Sequence, residues 1–364
     1  MKKNVILLSV ILIGFALISN ATVWRLNNIP GVDADFTTNL QDAIDNVSSG
    51  DTIYVEQSPF SYGGATITKQ VILIGGGCWL TENDSTQASE ETSRIDYLKF
   101  DAGSEGSIVS GLYFSSTYNP PITPYYCIHI YTDNIKVERN YIFMALLNWQ
   151  SGRPIFIEGN RNDIIIQQNW INFDKEISID ACIQINGDTG NLKIQNNFIR
   201  SYLHPSNLGI SIKASTASSS GNFQVTNNVI YGAVETYDAI YINNILIFGS
   251  FNNGSGGVAA HNICNETQFP DLNNNQLNVD MSTVFVDYDL YIDNGYILAP
   301  DSPAIGAGAN GGDCGMFSSD YDGNPYILSG MPAIPAIYEI DFNSTFFPSD
   351  ENILEVNLKA KSHN

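Results

Sequence analysis

The chain has 364 residues, with 38 Asp and Glu against 16 Lys and Arg and a formal charge of −22. So acidic a surface repels nucleic acid and anionic membranes, which are bound through Lys and Arg patches. It also disfavours uronic-acid polymers unless a cation bridges the charges.

Residues 1–21 read as a secretory signal peptide. Lys2 and Lys3 form its charged start, Val5 to Ile18 its apolar run, and Ser19-Asn20-Ala21 a small-residue cleavage site. The apolar run is short for a membrane span, and no later stretch is long enough, so no transmembrane segment is expected after cleavage. Thr37 to Val47 predicts a helix capped by Thr37 or Thr38, with Leu40, Ala43, Ile44 and Val47 on one face. A short amphipathic helix there suits the open end of a solenoid.

The middle of the chain repeats one phrase: strand, turn, second strand, then Asn-x-apolar. Its first strands are Ile128–Ile130, Ile155–Ile157, Ile183–Ile185, Ile210–Ile212 and Ile240–Ile242, and its Asn residues are 140, 169, 197, 228 and 262. Self-similarity at about this period, in strands without helices, predicts an all-β solenoid: a right-handed parallel β-helix spanning residues 22–340. Alternation makes the paired Ile of each first strand core. The Asn suits a bend, tolerating left-handed backbone, and its amide can bond the Asn of the next rung. The column after it (Tyr141, Trp170, Phe198, Val229, Ile263) is expected to be half-buried there. Gly- and Pro-rich sequence from Leu298 to Phe317 can seal the last coil, and Asn324 to Ile340 is expected to lie extended across the body. Residues 341–364 form a tail with one plausible strand, Ile353 to Ala360. The five Cys, an odd number for an exported chain, read as unpaired packing residues.

Several segments together resemble the pectate-lyase-like, right-handed parallel β-helix superfamily. They are Asp33 to Val55 (DADFTTNLQDAIDNVSSGDTIYV), Gly103-Ser104-Glu105-Gly106-Ser107, the Asn-Asn-x-Ile turns, and Asp301 to Gly308 with Asp313-Cys314-Gly315-Met316-Phe317. The closer resemblance is to uncharacterised exported β-helix repeat proteins of Bacteroidetes-type bacteria. It implies the scaffold and an exported bacterial protein, at the cell surface, in the periplasm or outside the cell. The superfamily includes lyases, glycosidases, esterases, adhesins and tailspikes, so it leaves the activity open. Galacturonase-like members carry Asn-Thr-Asp, Asp-Asp, His-Gly and Arg-x-Lys sets; here only Tyr131-Thr132-Asp133 comes near. Asp133, Glu158, Asp163 and Asp188, with Arg153 and Arg161 close by, could stack as calcium ligands, although acidic turn residues are the plainer reading. No other cofactor is implied.

The outward positions of the second strand (Lys136, Ile165, Lys193, Gln224, then Glu138, Gln167, Gln195, Thr226) read as a solvated face. The first strand presents His129, Phe156, Gln184, Ser211 and Tyr241, and one step on Tyr131, Glu158, Asn186, Lys213 and Asn243. Insertions carrying Trp149 and His204 flank it, and loops on a rigid scaffold are where binding concentrates. The expected binding set is therefore His129, Tyr131, Phe156, Glu158, Gln184, Lys213, Tyr241 and Trp149. Its partner would be a polysaccharide or cell-surface glycan. The sequence favours binding without catalysis; a polysaccharide lyase or glycoside hydrolase is the alternative, and no catalytic set can be assigned.

Overall fold

The computed structural model describes residues 21–117, 125–146, 151–175, 180–203, 207–215, 222–289, 291–321, 323–342 and 355–362. Trp149, His204 and the leader up to Asn20 lie outside them. Each full coil visits three sheets in turn, numbered here I to III. Tyr125–Ile130 belongs to sheet I (eight strands), Ile135–Glu138 to sheet II (ten) and Tyr141–Leu146 to sheet III (nine). Strands stacked from coil to coil are parallel and in register, Ile128 beside Ile155 beside Ile183, and one short strand of sheet III, Asn207–Leu208, adds antiparallel to Phe198–Leu203. The chain is therefore a parallel β-helix. Stacking covers strands too short to bury a face alone, and one apolar column runs inside from Leu26 to Phe269.

The Asn period is a physical ladder. From Asn140 through Asn169, Asn197, Asn228, Asn244 and Asn262 to Asn275, each Nδ2 donates to the next Oδ1 at 3.0 Å. Each backbone N–H donates to that same oxygen. The left-handed residue of the bend is the one before each ladder Asn, not the Asn itself. Arg139, Gln168, Asn196, Asn227, Asn243, His261 and Asn274 all have φ between +54° and +60°.

Asn244 and Asn275 are ladder members that the period misses. The 34-residue step from Asn228 to Asn262 conceals two short coils, and this corrects the fifth repeat. Ile240–Ile242 is a strand of sheet II, paired with Gln224–Thr226. The corresponding sheet I strand is Ala233–Glu235. Ile240 and Ile210 are half-buried rather than core.

The helix runs Leu40–Asn46 and is capped by Asn39, whose side chain accepts from the Asp42 N–H, rather than by Thr37 or Thr38. Leu40, Ala43, Ile44 and Val47 are buried as expected. All five Cys are buried, and none forms a disulfide. Among the described residues no helix is long and apolar enough to cross a membrane.

After the last coil the chain turns back and retraces the solenoid along the bend that holds the ladder. This strap meets left-handed residues along the bend. Ala309 N–H donates to Asn243 Oδ1, Asn227 donates to the Asp320 carbonyl, and Asn196 to those of Met316 and Ser318. Gln168 then donates to the Pro325 carbonyl and Arg139 to that of Met331. The stretch from Asn324 thus crosses the body, but not as one extended run to Ile340: a 3-10 turn interrupts it at Leu328–Gly330, and from Ala336 it leaves as a strand. The preceding Gly-rich segment does more than seal an end, because it begins this return. The tail pairs Ala336–Phe342 with Val356–Lys361 as an antiparallel ribbon of its own.

Candidate functional site

The outer face of sheet III is apolar and covered. Trp170, Phe198, Val229, Ile245 and Ile263 are buried under Met281, Phe285, Tyr296, Cys314, Met316 and Tyr326 of the return segment. Trp170 stacks on Phe198 at 3.7 Å between ring centroids, and Tyr296 meets both edge-on. Tyr141 at the head of this column is half-buried as expected, but from Trp170 to Ile263 the column is fully buried, because the strap adds a second core on the outside of the sheet. The sheet II column Glu138, Gln167, Gln195 is likewise not simply solvated. Its side chains bond each other from coil to coil, the Gln167 amide donating to the Glu138 carboxylate at 2.7 Å and Gln195 to the Gln167 oxygen at 3.1 Å. Gln167, Gln195 and Thr226 are buried.

The outer face of sheet I is polar and aromatic. Register places Lys99, His129, Phe156, Gln184, Lys213 and Glu235 in one column. Four of the expected residues therefore share a column, with one correction. Lys213, not Ser211, lies beside Gln184, because Ile212 rather than Ile210 pairs with Ile183 and the small Ala214 takes the next inward place. Ser211 is buried and donates to the Tyr231 carbonyl. Tyr241 does not belong to this face. It sits in the sheet II strand, fully buried in the core with its hydroxyl against Thr236, for the reason given by the shortened coil.

His129, Phe156 and Gln184 form a floor. His129 is 7 % exposed; its ring stacks on Phe156 at 5.1 Å, Tyr126 packs at 4.6 Å, and its Nε2 meets Glu158 Oε2 at 2.8 Å. Burial pushes the imidazole pKa down, and the Glu158 carboxylate opposes that shift. The guanidinium of Arg153 lies 4.8 Å from the centre of the Phe156 ring and also bonds Gln184 at 3.2 Å. Asp180, which accepts from Ser151 and the Gly152 N–H, pairs with Arg153 at 3.2 Å. Over this floor stand the accessible groups. Tyr131 is 47 % exposed with Arg161 4.4 Å over its ring, and the side chains of Glu158 and Lys213 also reach solvent. Lys213 pairs with Glu235 at 3.4 Å.

Sequence reasoning did not assign Arg153 to the strip, nor Asp180. Arg153 stands two residues before an inward Ile, in a position no periodicity marks. The acidic turn residues serve coil-to-coil bonding. Asp133 accepts from Asn162 N–H, Asp163 from the Asn191 amide, and Asp188 donates its N–H to Asn160. Among the described residues no group of three or more His, Cys, Asp or Glu side chains is placed to hold a metal ion. Two concavities lie elsewhere. One of about 790 Å³ is bounded by Glu82, Asp84, Phe317, Ile327 and Lys361; one of about 430 Å³ lies at the last coil near Phe251 and Phe269. Neither includes a residue of the strip.

Fold and site together define a parallel β-helix with one strapped outer face and one face carrying an aromatic and ionisable strip. No family model matches the chain, and no curated protein matches it.

Proposed function

We propose that the protein is an exported β-helix that binds a glycan or surface polymer along the outer face of sheet I, without chemistry. The observation that carries this reading is the in-register strip itself. Rings, amides and ionisable groups line up along the coil axis on a face that the described residues of the return segment do not cover. Tyr131 offers an exposed ring against which the apolar face of a sugar can lie. Glu158, Asn186 and Lys213 offer hydrogen-bonding partners for hydroxyls, while His129, Phe156 and Gln184, held by Arg153, set the spacing from below. A linear polymer matches a scaffold whose recognition groups repeat at the strand spacing of about 4.8 Å. The negative charge favours a neutral polymer over a polyanion. Likeness to the pectate-lyase-like superfamily supports a carbohydrate partner, as part of the same proposal.

The His129–Glu158 pair favours a second reading, in which it serves a polysaccharide lyase or glycoside hydrolase as base and acid. Against it, the imidazole is already committed at Nε2 and sits in the floor. A glycan array with the purified protein, run with and without calcium, separates the readings. Retention of intact glycan supports binding. Release of shortened or unsaturated sugars would establish the enzyme, and dependence on calcium would add a metal to either.

A further inference from the structure

The first strand of the solenoid, Val23–Leu26, is the outermost of sheet II and pairs with Thr52–Val55. Thr22, one residue before it, is pinned at both backbone groups. Its carbonyl accepts from the Thr52 N–H at 2.8 Å, and its own N–H donates to Asp51 Oδ1 at 2.8 Å. Asp51 lies shallow, at the N-terminal end of the solenoid, yet is only 3 % exposed. Its other oxygen accepts from the Trp24 indole and from the Ser48 N–H, both at 2.9 Å. All three donors are neutral. The ammonium of Lys69, felt at Asp51, donates instead to the Asp45 and Val47 carbonyls. A covered carboxylate held by neutral N–H groups gains further from a donor that carries charge, because charge-assisted hydrogen bonds are roughly twice as strong.

That charge is available at one atom. Cutting after Ser19-Asn20-Ala21 makes the Thr22 nitrogen the first of the chain. We propose that Asp51 is a built socket for that terminus: a leader peptidase cuts between Ala21 and Thr22, and the α-ammonium so formed pairs with the Asp51 carboxylate. The inference rests on the export part of the proposed function. The cut is a hydrolysis, in which water's oxygen stays on the Ala21 carboxylate and both its protons end on the Thr22 nitrogen. An ammonium standing where the N–H now stands keeps the hydrogen bond and adds a full charge to it. The Thr22 N–H already heads the contacts that hold the Asp51 carboxyl below the usual range, against the opposing effect of burial. Ala21 and Thr22 are both exposed, so the pairing needs no rearrangement of the coil. Processing thereby fastens the outermost strand to the turn that follows the capping helix.

Intact mass and N-terminal sequencing of protein exported by a bacterial host from the full chain should give Thr22 as the first residue. The rate at which acetic anhydride acylates that amine, followed from about pH 6 to 10 by mass spectrometry of the terminal peptide, should then report its pKa. The value should lie at least about one unit above the ordinary 7.7–8.0 of an α-amino group. Asp51 raises that pKa and Lys69 lowers it, so the sign reports which charge the terminus meets. Asp51→Asn keeps the shape and removes the charge, and should return the value to about 8. If that variant does not fold, the pH profile of the unsubstituted protein decides by itself. Exported protein that starts at another residue, or a Thr22 pKa at or below about 8, would overturn the inference and leave the glycan reading standing. A chain that keeps Met1 to Ala21 would overturn it together with the export reading.

Discussion

Sheets I and III are built from the same coils by the same register, yet their outer faces differ in kind. Sheet III sets Trp170, Phe198 and Val229 outward, and the chain spends its return segment covering them. Among the described residues, sheet I sets His129, Phe156 and Gln184 outward beneath neighbours of the same strip, Arg153, Tyr126, Glu158, Tyr131 and Asn186. An outward apolar column in a solenoid is a demand for a cover, because exposed apolar area costs free energy in proportion to its size. An outward column of mixed chemistry makes no such demand and is free to meet a ligand. The ladder bend beside sheet III serves both: it ties coil to coil inside and holds the strap outside.

The comparison can be broken by substitution, starting where the effect is largest. Phe198→Ala removes a ring stacked on Trp170 between sheet and strap, and should cost about 3–5 kcal/mol in denaturant unfolding. Phe156→Ala, under a guanidinium that can fold inward, should cost about half that. Equal losses would erase the distinction between the two faces. Next comes Asn197→Ala. It strips the acceptor from both the Asn169 N–H and its amide, and leaves the Ile166 carbonyl without that donor. A loss of about 2–4 kcal/mol is expected, from unsatisfied buried polar groups. Asn→Ala at this position with an unchanged melting curve would deny the ladder any structural role.

Where the coil passes from sheet III to sheet I, Lys175 tests the cost of burial. It is 3 % exposed, donates to the Asp180 carbonyl, lies 4.6 Å over Phe173, and burial pushes its pKa down to about 8. Below pH 8 the ammonium is charged both folded and unfolded, and the penalty is complete. As pH rises from about 8 to 10.5 the unfolded chain holds more protons than the folded one, so stability should increase across that window. Lys175→Met should raise stability at pH 7 by about 1–3 kcal/mol and flatten that rise. Thermal melts at pH 7, 9 and 10.5 decide it, and a variant no more stable than the parent would count against the burial penalty. The smallest effect is expected at Tyr131→Ala, within about 0.5 kcal/mol, because the ring is half-exposed and its contacts with His129 and Arg161 lie at the surface.

The ladder residues 140, 169, 197 and 228 and the inward Ile pairs made the solenoid readable, because a period and an alternation are written directly in residue types. The short coils were not readable. Halving a coil keeps its Asn but discards the spacing, and so Tyr241 was placed on a face it does not reach. Lys213 shifted by one pair because Ile210-Ser211-Ile212-Lys213-Ala214 alternates equally well in two phases, and only pairing with Ile183 chooses. The strap was unreadable as a cover, since its contacts are backbone carbonyls meeting Asn196, Gln168 and Arg139 from more than 100 residues away. Of the strip, the strand residues were legible from alternation; Arg153, which closes over Phe156, was not.

The central claim, that the free outer face and not the strapped one binds glycan, is met most directly by two half-exposed tyrosines. Tyr131 stands over sheet I at 47 % exposure and Tyr291 near Arg200 of sheet III at 53 %. Calorimetric titration of a glycan retained on the array should show Tyr131→Ala losing at least about tenfold in affinity and Tyr291→Ala matching the parent. Loss in Tyr291→Ala with Tyr131→Ala unaffected would contradict it.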